Sequence, residues 1–372
     1  MDAHPAHSQQ FHPVFCTIVP PHLLDRLSRG ENETLSGRAR RTLEQDASQR
    51  TRRRVTTIRH SALAPSRPTP GTEADQKPQR TIYDAKNKET LPGKKVREEG
   101  SKPAKDASAN RAYAGLGATF ELYLSAYARY SIDGSGLPLD ATVHYGEEYG
   151  NAFWDGKQMV FGDGDGELFR DFTLPVDVIG HELTHGVTQY TANLEYFGQS
   201  GALNESVSDV FGSLIKQHGL SQTADQADWL IGAGLFTDQV EGEALRSMKA
   251  PGTAYDDDVL GKDPQPATMK DYVNTGTDNG GVHINSGIPN HAFYQLAVEL
   301  GGHAWERAGQ IWYDTLTSGK LSTTCDFAAF AAATAESASS RYGESSAERE
   351  AVLKCWSEVG VSPQSSQDAA GN

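Results

Sequence analysis

Cysteine is nearly absent from this chain: its 372 residues contain only Cys16, Cys325 and Cys355. Three thiols cannot build a disulfide framework, and an odd count leaves at least one unpaired, so the fold must rest on its own core. No run of eighteen apolar residues is present, which excludes a hydrophobic membrane-spanning helix. The first twenty-five residues lack a basic stretch followed by an apolar one, so no Sec-type signal peptide is expected. Together these absences predict synthesis in the cytoplasm, a reducing compartment, with any export by a leaderless route. A positive net charge is missing too. The formal charge is −15, yet residues 1–110 carry 20 Lys and Arg against 13 Asp and Glu, leaving 14 against 36 for the remainder. A basic segment ahead of an acidic body reads better as a pro-segment drawn to the part it covers than as a nucleic-acid-binding arm. Neither nucleic acid nor membrane is expected as a partner, and a monomer is expected.

What the chain does contain is organised around Val178-Ile-Gly-His181-Glu182-Leu-Thr-His185-Gly-Val-Thr188. On a helix of about 3.6 residues per turn, positions four apart share a face, so His181 and His185 can present their imidazoles to one ion. Glu182 follows the first histidine and can reach a water on that ion as general base. Catalytic zinc takes three protein ligands and keeps one position open, so a third ligand must come from elsewhere.

Gly201-Ala-Leu-Asn204-Glu205-Ser-Val-Ser-Asp209 supplies it. Glu205 lies twenty residues after His185, enough for one helix to end, a loop to turn back and a second helix to run antiparallel. Asp209, one turn further along, and Asn204 can then accept the remaining ring N–H groups of the two histidines. Paired histidines also occur on ordinary amphipathic helices. The Asn-Glu-x-x-x-Asp segment, with apolar Val178, Ile179, Leu183 and Val187 filling the first helix's other faces, makes the metal reading the better one.

These segments, with Tyr190-Thr-Ala-Asn-Leu-Glu-Tyr196 and Asp278-Asn-Gly-Gly-Val-His283-Ile-Asn-Ser-Gly287, resemble the thermolysin family of zinc metalloendopeptidases from about Tyr83 to about Val361. The resemblance implies an α+β fold of two domains: a β-rich N-terminal one, a mainly helical C-terminal one, and the active-site helix between them. It implies peptide hydrolysis with one catalytic zinc on His181, His185 and Glu205. His283 and Tyr196 would donate to the oxyanion, and Asp278 would orient His283. Asn151 and the carbonyl of Ala152 would bind substrate backbone as part of an edge strand. Arg246 would bind a substrate carbonyl beside an apolar pocket lined by Phe169, Phe172, Val178, Ile231 and Leu245, selecting Leu, Phe or a similar residue after the scissile bond. A paired calcium site of the family aligns with Asp177, Lys216, Asp228 and Ala233. Two of its carboxylates are therefore missing, so no calcium pair is expected there and Lys216 is expected to neutralise Asp177 or Asp228. Calcium elsewhere remains compatible with the sequence.

Along the chain, residues 1–62 read as the pro-segment, 63–80 as a Pro-rich linker open to cleavage between about Arg50 and Pro78, and 81–190 as the first peptidase domain. Residues 191–362 read as the helical domain and 363–372 as a disordered tail. A helix is expected around 112–130 and strands at 143–145 and 158–161. Gly162-Asp-Gly-Asp-Gly166 is too short for an EF-hand loop and reads as a tight turn. Cys16-Thr-Ile-Val-Pro20-Pro21-His-Leu-Leu24 starts extended and turns helical after the prolines. It resembles the pro-segment motif of the family's protealysin-like branch. Two roles stay open for Cys16: a small buried hydrophobe that packs the pro-segment, or a thiolate held over the zinc by rigid Pro20 and Pro21.

Overall fold

The computed structural model describes residues 16–60 and 76–363. The linker expected over 63–80 and the tail over 363–372 fall largely outside these residues. Pro20 is extended, and Pro21 opens α1 (Pro21–Ser28) at a position where a missing N–H costs nothing. α2 (Glu33–His60) packs back on α1. Leu35, Ala39, Thr42, Asp46 and Gln49 of α2 are all buried, a helical stripe of which only the first two are apolar.

The body begins with a five-stranded sheet made of β1 (Arg80–Lys88), β2 (Lys94–Glu98), β3 (Leu139–Tyr145), β4 (Ala152–Trp154) and β5 (Gln158–Phe161). Its order is β2-β1-β3-β5-β4, with β1, β3 and β5 mutually parallel and the two outer strands antiparallel to their neighbours. β4 is thus an edge, with backbone groups open to a further strand. α3 (Ala107–Tyr127) lies against β1 and β3. It starts a turn earlier than expected because Asp106 caps it, accepting the Ala109 N–H at 2.7 Å. Gly162–Gly166 is not itself a tight turn: Gly162 and Gly164 N–H groups donate to the Asn151 and Tyr149 carbonyls, and the chain bends after Asp165, whose Oδ1 accepts from Glu167, Leu168 and Phe169.

α4 (Val176–Gln189) is buried from Asp177 to Thr188, and α5 (Gly198–Leu220) packs along it. Two glycines set how closely. A Cβ on Gly212 would lie 2.5 Å from the Asp177 carbonyl oxygen and 3.1 Å from the His181 nitrogen, and one on Gly180 would lie 3.2 Å from the Gly212 Cα. Larger residues would force the helices apart and take Glu205 away from the histidines.

β6 (Leu230–Ile231) and β7 (Arg246–Ser247) form a short antiparallel pair. α6 (Asp278–Asn285), α7 (Gly287–Leu300), α8 (Ala308–Thr317), α9 (Phe327–Tyr342) and α10 (Ala347–Glu358) complete the helical half. Its core is aromatic: Trp312 stacks on Trp356 at 5.9 Å, with Phe293 at 5.1 Å and Phe330 at 6.0 Å from Trp312. The architecture is α+β, with a β-rich half, a helical half and α4 between them.

Candidate active site

The α4–α5 pair places His181 opposite Asp209 and His185 opposite Asn204, so the two helices run antiparallel. His181 Nδ1 lies 2.8 Å from Asp209 Oδ1, and His185 Nδ1 lies 2.8 Å from Asn204 Oδ1 and 3.1 Å from Ser208 Oγ. A ring that donates from Nδ1 turns its Nε2 lone pair the other way. The two Nε2 atoms are 3.0 Å apart, and Glu205 approaches them at 3.6 Å (His181) and 3.5 Å (His185). Glu205 Oε2 is buried without a hydrogen-bond partner. Cys16 Sγ, 2.9 Å from Glu205 Oε1, is the fourth member: one ligand atom from each of Cys16, His181, His185 and Glu205 lies within 4.8 Å of every other. Four buried donors converging on one point, a thiol, two imidazoles and a carboxylate with an orphaned oxygen, fit a tetrahedral zinc site.

Burial alone would raise Glu205, but His283, His185 and His181 outweigh it and hold the carboxyl down at about 2. Burial pushes His185 down to about 3, against the pull of Glu205. Asp209 would also be raised by burial, yet Arg246 and His181 drive it well below the carboxylate range. It accepts from Arg246 Nε and Nη2, both at 2.9 Å, and from Asn290 Nδ2 at 2.8 Å. Among these protein groups alone, burial and then the carboxylates of Glu205 and Glu182 push the Cys16 thiol well up. A divalent cation among the four donors would reverse that balance.

Glu182 is buried beside the ligands, and its Oε2 accepts the Trp154 N–H at 3.0 Å. On the other flank α6 is interrupted, since Asn279, Gly280 and Gly281 all have positive φ. That kink lets Asp278 cap its own helix: it accepts the His283 N–H at 2.9 Å and His283 Nδ1 at 2.6 Å. Burial opposes a charge on His283, but Asp278 and Glu205 raise it to about 9, so Nε2 is a donor at neutral pH. Tyr196 Oη is 3.2 Å from that Nε2 and also donates to Glu205.

The N-terminal segment fills the remaining space. Thr17 forms an antiparallel bridge with Phe153 of the β4 edge, and the Ile18 N–H donates to the Ala152 carbonyl at 3.1 Å. The Ile18 carbonyl accepts from Arg246 Nη1 at 3.2 Å. Asn151 brackets Val19, with Oδ1 accepting its N–H at 2.9 Å and Nδ2 donating to its carbonyl at 3.4 Å. An extended tetrapeptide thus lies along the edge strand in the manner of a bound peptide.

Comparison with known sequences agrees with this geometry. Residues 71–189 match the thermolysin metallopeptidase catalytic domain and residues 192–361 match the thermolysin metallopeptidase alpha-helical domain. The chain is a member of the thermolysin metallopeptidase family. It is 49% identical to an extracellular metalloprotease of Pectobacterium carotovorum subsp. carotovorum, over 93% of this chain and 96% of that one. It is 40% identical to a thermolysin of Alicyclobacillus acidocaldarius subsp. acidocaldarius, over 75% of this chain and 50% of the relative. Among solved structures, the precursor of protealysin, a metalloproteinase from Serratia proteamaculans, superposes with a TM-score of 0.83 at 50% identity, covering 93% of this chain and all of that one. The thermolysin-like metallopeptidase is therefore a hydrolase of the precursor-bearing kind.

One expectation is overturned. Relatives named extracellular, from Pectobacterium and from Serratia marcescens, point to secretion and not to a cytoplasmic, reducing setting. The cysteine argument failed because Cys16, Cys325 and Cys355 are all buried and unpaired. Cys325 and Cys355 pack as small apolar side chains and Cys16 faces the donor cluster, in a fold whose size makes disulfides unnecessary, so their number says nothing of the compartment.

Of the residues expected around the pocket, Phe172, Val178, Ile231 and Leu245 are buried in the continuous apolar core that runs through both halves of the protein, and that core also takes in Ile18. Phe169 belongs to it too, but it also lines a small void with Leu24, Leu27, Leu35 and Ala39, beneath α1 and α2. Sequence reasoning missed Asn290 and the α2 residues Thr42, Asp46 and Gln49. The signal for the latter was present: polar residues at helical spacing on one face, which a solvated helix has no reason to align.

Proposed function

We propose that this chain is a latent, zinc-dependent neutral endopeptidase that acts outside the cell. His181, His185 and Glu205 would hold the ion, oriented by Asp209 and Asn204. When bound, zinc supplies Lewis acidity, lowering the pKa of a coordinated water toward about 7 and polarising the scissile carbonyl. Glu182 takes the proton from the attacking water and passes it to the leaving nitrogen, and Trp154 N–H holds one of its oxygens in place. His283, kept protonated by Asp278, donates from Nε2 where the oxyanion develops, with Tyr196 as the second donor. Arg246, Asn151 and the Ala152 carbonyl hold the residues after the scissile bond. The pocket beside them favours an apolar residue, of the class that Ile18 represents in the structure.

Residues 1–62 would be the pro-segment, 63–80 the linker and site of cleavage, 81–190 and 191–362 the two peptidase domains, and 363–372 a tail. The pro-segment would act as an intramolecular inhibitor: Cys16 would stand where the attacking water has to bind, and Pro20 and Pro21 would fix the chain that delivers it. The observation that carries the reading is the buried four-donor cluster of Cys16, His181, His185 and Glu205 beside Glu182.

The test uses full-length protein carrying Glu182→Gln, which should keep zinc and the fold while casein hydrolysis falls by several orders of magnitude. Zinc-edge absorption should show a sulfur neighbour at about 2.3 Å that Cys16→Ser removes. Zinc loss in the Gln variant would sink the assignment of Glu182 as base. A sulfur-free spectrum in the Cys16-bearing chain would leave steric blockage as the only source of latency.

A further inference from the structure

α2 lies away from the cleft, yet one of its side chains reaches into it. Asp46 is buried, and its carboxylate accepts from Tyr149 Oη at 2.5 Å and from Asn151 Nδ2 at 3.2 Å. The same Nδ2 also donates to the Val19 carbonyl, and Asn151 Oδ1 accepts the Val19 N–H. We infer that Asp46 is a positioning residue that the pro-segment lends to its own docking site: it orients the Asn151 amide so that the plug, residues 16–19, meets a subsite already set to receive it.

The argument rests on the two-fold ambiguity of an amide. Flipping Asn151 would turn its oxygen onto the Asp46 carboxylate and its NH2 onto the Val19 N–H, replacing two hydrogen bonds by two like-polarity contacts. An ionised carboxylate can only accept, so Asp46 excludes that flip. The Ala152 N–H, 3.0 Å from Asn151 Oδ1, favours the same orientation. It is part of the body, however, and stays behind when the pro-segment leaves. A substrate approaching the mature enzyme brings no counterpart of Asp46 and meets an amide oriented by the Ala152 N–H alone. The plug therefore binds better than its four residues account for, and the gain ends with removal of α2.

The arrangement around Asp46 suits this role. Gly150 N–H donates to Thr42 Oγ1 at 3.3 Å and Gln49 Nε2 donates to Tyr145 Oη at 2.6 Å, so the same helix face grips Gly150, next to Asn151, and Tyr145, whose ring packs on Tyr149. Arg38 anchors the near end on Glu148 at 2.6 Å and Glu167 at 3.0 Å, without touching Asn151. Anchoring and positioning thus fall to different residues.

The inference depends on the reading of residues 16–60 as an inhibitory pro-segment, and the experiment separates the two. In zinc-loaded full-length protein carrying Glu182→Gln, the apparent affinity of a leucyl dipeptide hydroxamate reports how tightly the plug holds the cleft, because the two compete. Asp46→Asn should let the hydroxamate bind about tenfold more tightly, as expected when a charge-assisted hydrogen bond becomes a neutral one. In the Asn151→Ala background the same change should matter less than about twofold, because the group being oriented is gone. Equal effects in both backgrounds would mean that Asp46 only anchors α2, and no effect in either would mean that it does nothing; both overturn the inference. Slower exchange of the Val19 amide in Asp46 protein than in Asp46→Asn protein is a second expected result. If Ile18→Asp leaves hydroxamate binding unchanged, the plug does not occupy the cleft, and the pro-segment reading falls together with this one.

Discussion

His22 makes the hold of the pro-segment sensitive to acid. Both nitrogens of its ring are buried without a hydrogen-bond partner, although the residue as a whole is partly exposed. Burial holds its pKa down at about 4; Asp278 works against this, while His283 and Arg246 add to it. In a released pro-segment the ring would return to about 6.5. The released state therefore binds the proton more tightly, so docking is at full strength above about pH 6.5 and weakens as pH falls toward 4. From these two pKa values the docking constant drops about tenfold by pH 5.5, about 1.4 kcal/mol. His22→Leu removes both the titration and the two unpaired nitrogens, so docking should be tighter at every pH and flatter across the range. The measurement is competition by the hydroxamate in full-length Glu182→Gln protein, taken between pH 5 and 7.5 as the ratio of apparent affinities in the parent and the His22→Leu variant. The ligand's own pH dependence, and that of every other group shared by the two proteins, cancels in that ratio. A ratio that stays constant would refute the role of His22, whatever the individual curves do.

Two further outcomes concern the body. Lys216 Nζ lies 2.9 Å from both Asp177 Oδ2 and Asp228 Oδ1 and 3.0 Å from the Leu230 carbonyl, an ammonium in the midst of oxygens where a cation would otherwise be held. Because Asp177 is buried, Lys216→Ala should cost about 3 kcal/mol in a denaturation experiment, and millimolar calcium should not shift the melting temperature of the parent; a calcium-dependent rise would restore the family's paired site. His144 bridges Asp163 at 2.7 Å and Asp106 at 3.1 Å, and its hydrogen bond to Asp163 outweighs burial to raise it to about 9. Its contribution is complete below about pH 6.5 and lost as pH rises through 9, so His144→Gln should destabilise by about 2 kcal/mol at pH 6 and by little at pH 10, the partly exposed carboxylates weakening the pair. An equal loss at both pH values would assign His144 to packing.

The zinc-site residues were legible because their relation is local or nearly so. His185 lies four positions after His181 on one helix, and one antiparallel turn brings up Glu205, Asn204 and Asp209. The closeness of that turn depends on Gly180 and Gly212, which sequence reading passed over because a glycine inside a helix carries no sign of what it faces. The partners across long stretches of chain were less visible. Asp46 and Asn151 are separated by 105 positions, Arg246 and Asp209 by 37, and Asn290 and Asp209 by 81. Nothing local marks them as pairs, because each is chosen by tertiary packing alone. The secretion error has a different origin: cysteine content measures how much a fold needs cross-links, and here a large core removes the need in any compartment.

If residues 16–19 inhibit as proposed, the contacts that inhibit and those that would bind substrate are largely the same set. The Ile18 N–H and carbonyl use Ala152 and Arg246, and Val19 uses Asn151, so the Thr17–Ile18 bond is presented much as a scissile bond would be. On the proposed reading, what would distinguish plug from substrate is the Cys16 sulfur beside Glu205 and the helix behind it. Cutting the chain beyond His60 breaks neither hold: residues 16–19 keep the cleft, and Arg38 to Gln49 keep the body. On the proposed reading, cleavage in the linker would change the connection before the contacts, turning an intramolecular inhibitor, with its high effective concentration, into one that can dissociate. Activation then follows release of α2, and whatever weakens the polar face of that helix speeds it. An inhibitory helix docked through Thr42, Asp46 and Gln49, and not through a continuous apolar stripe, suits a contact that must eventually open in water.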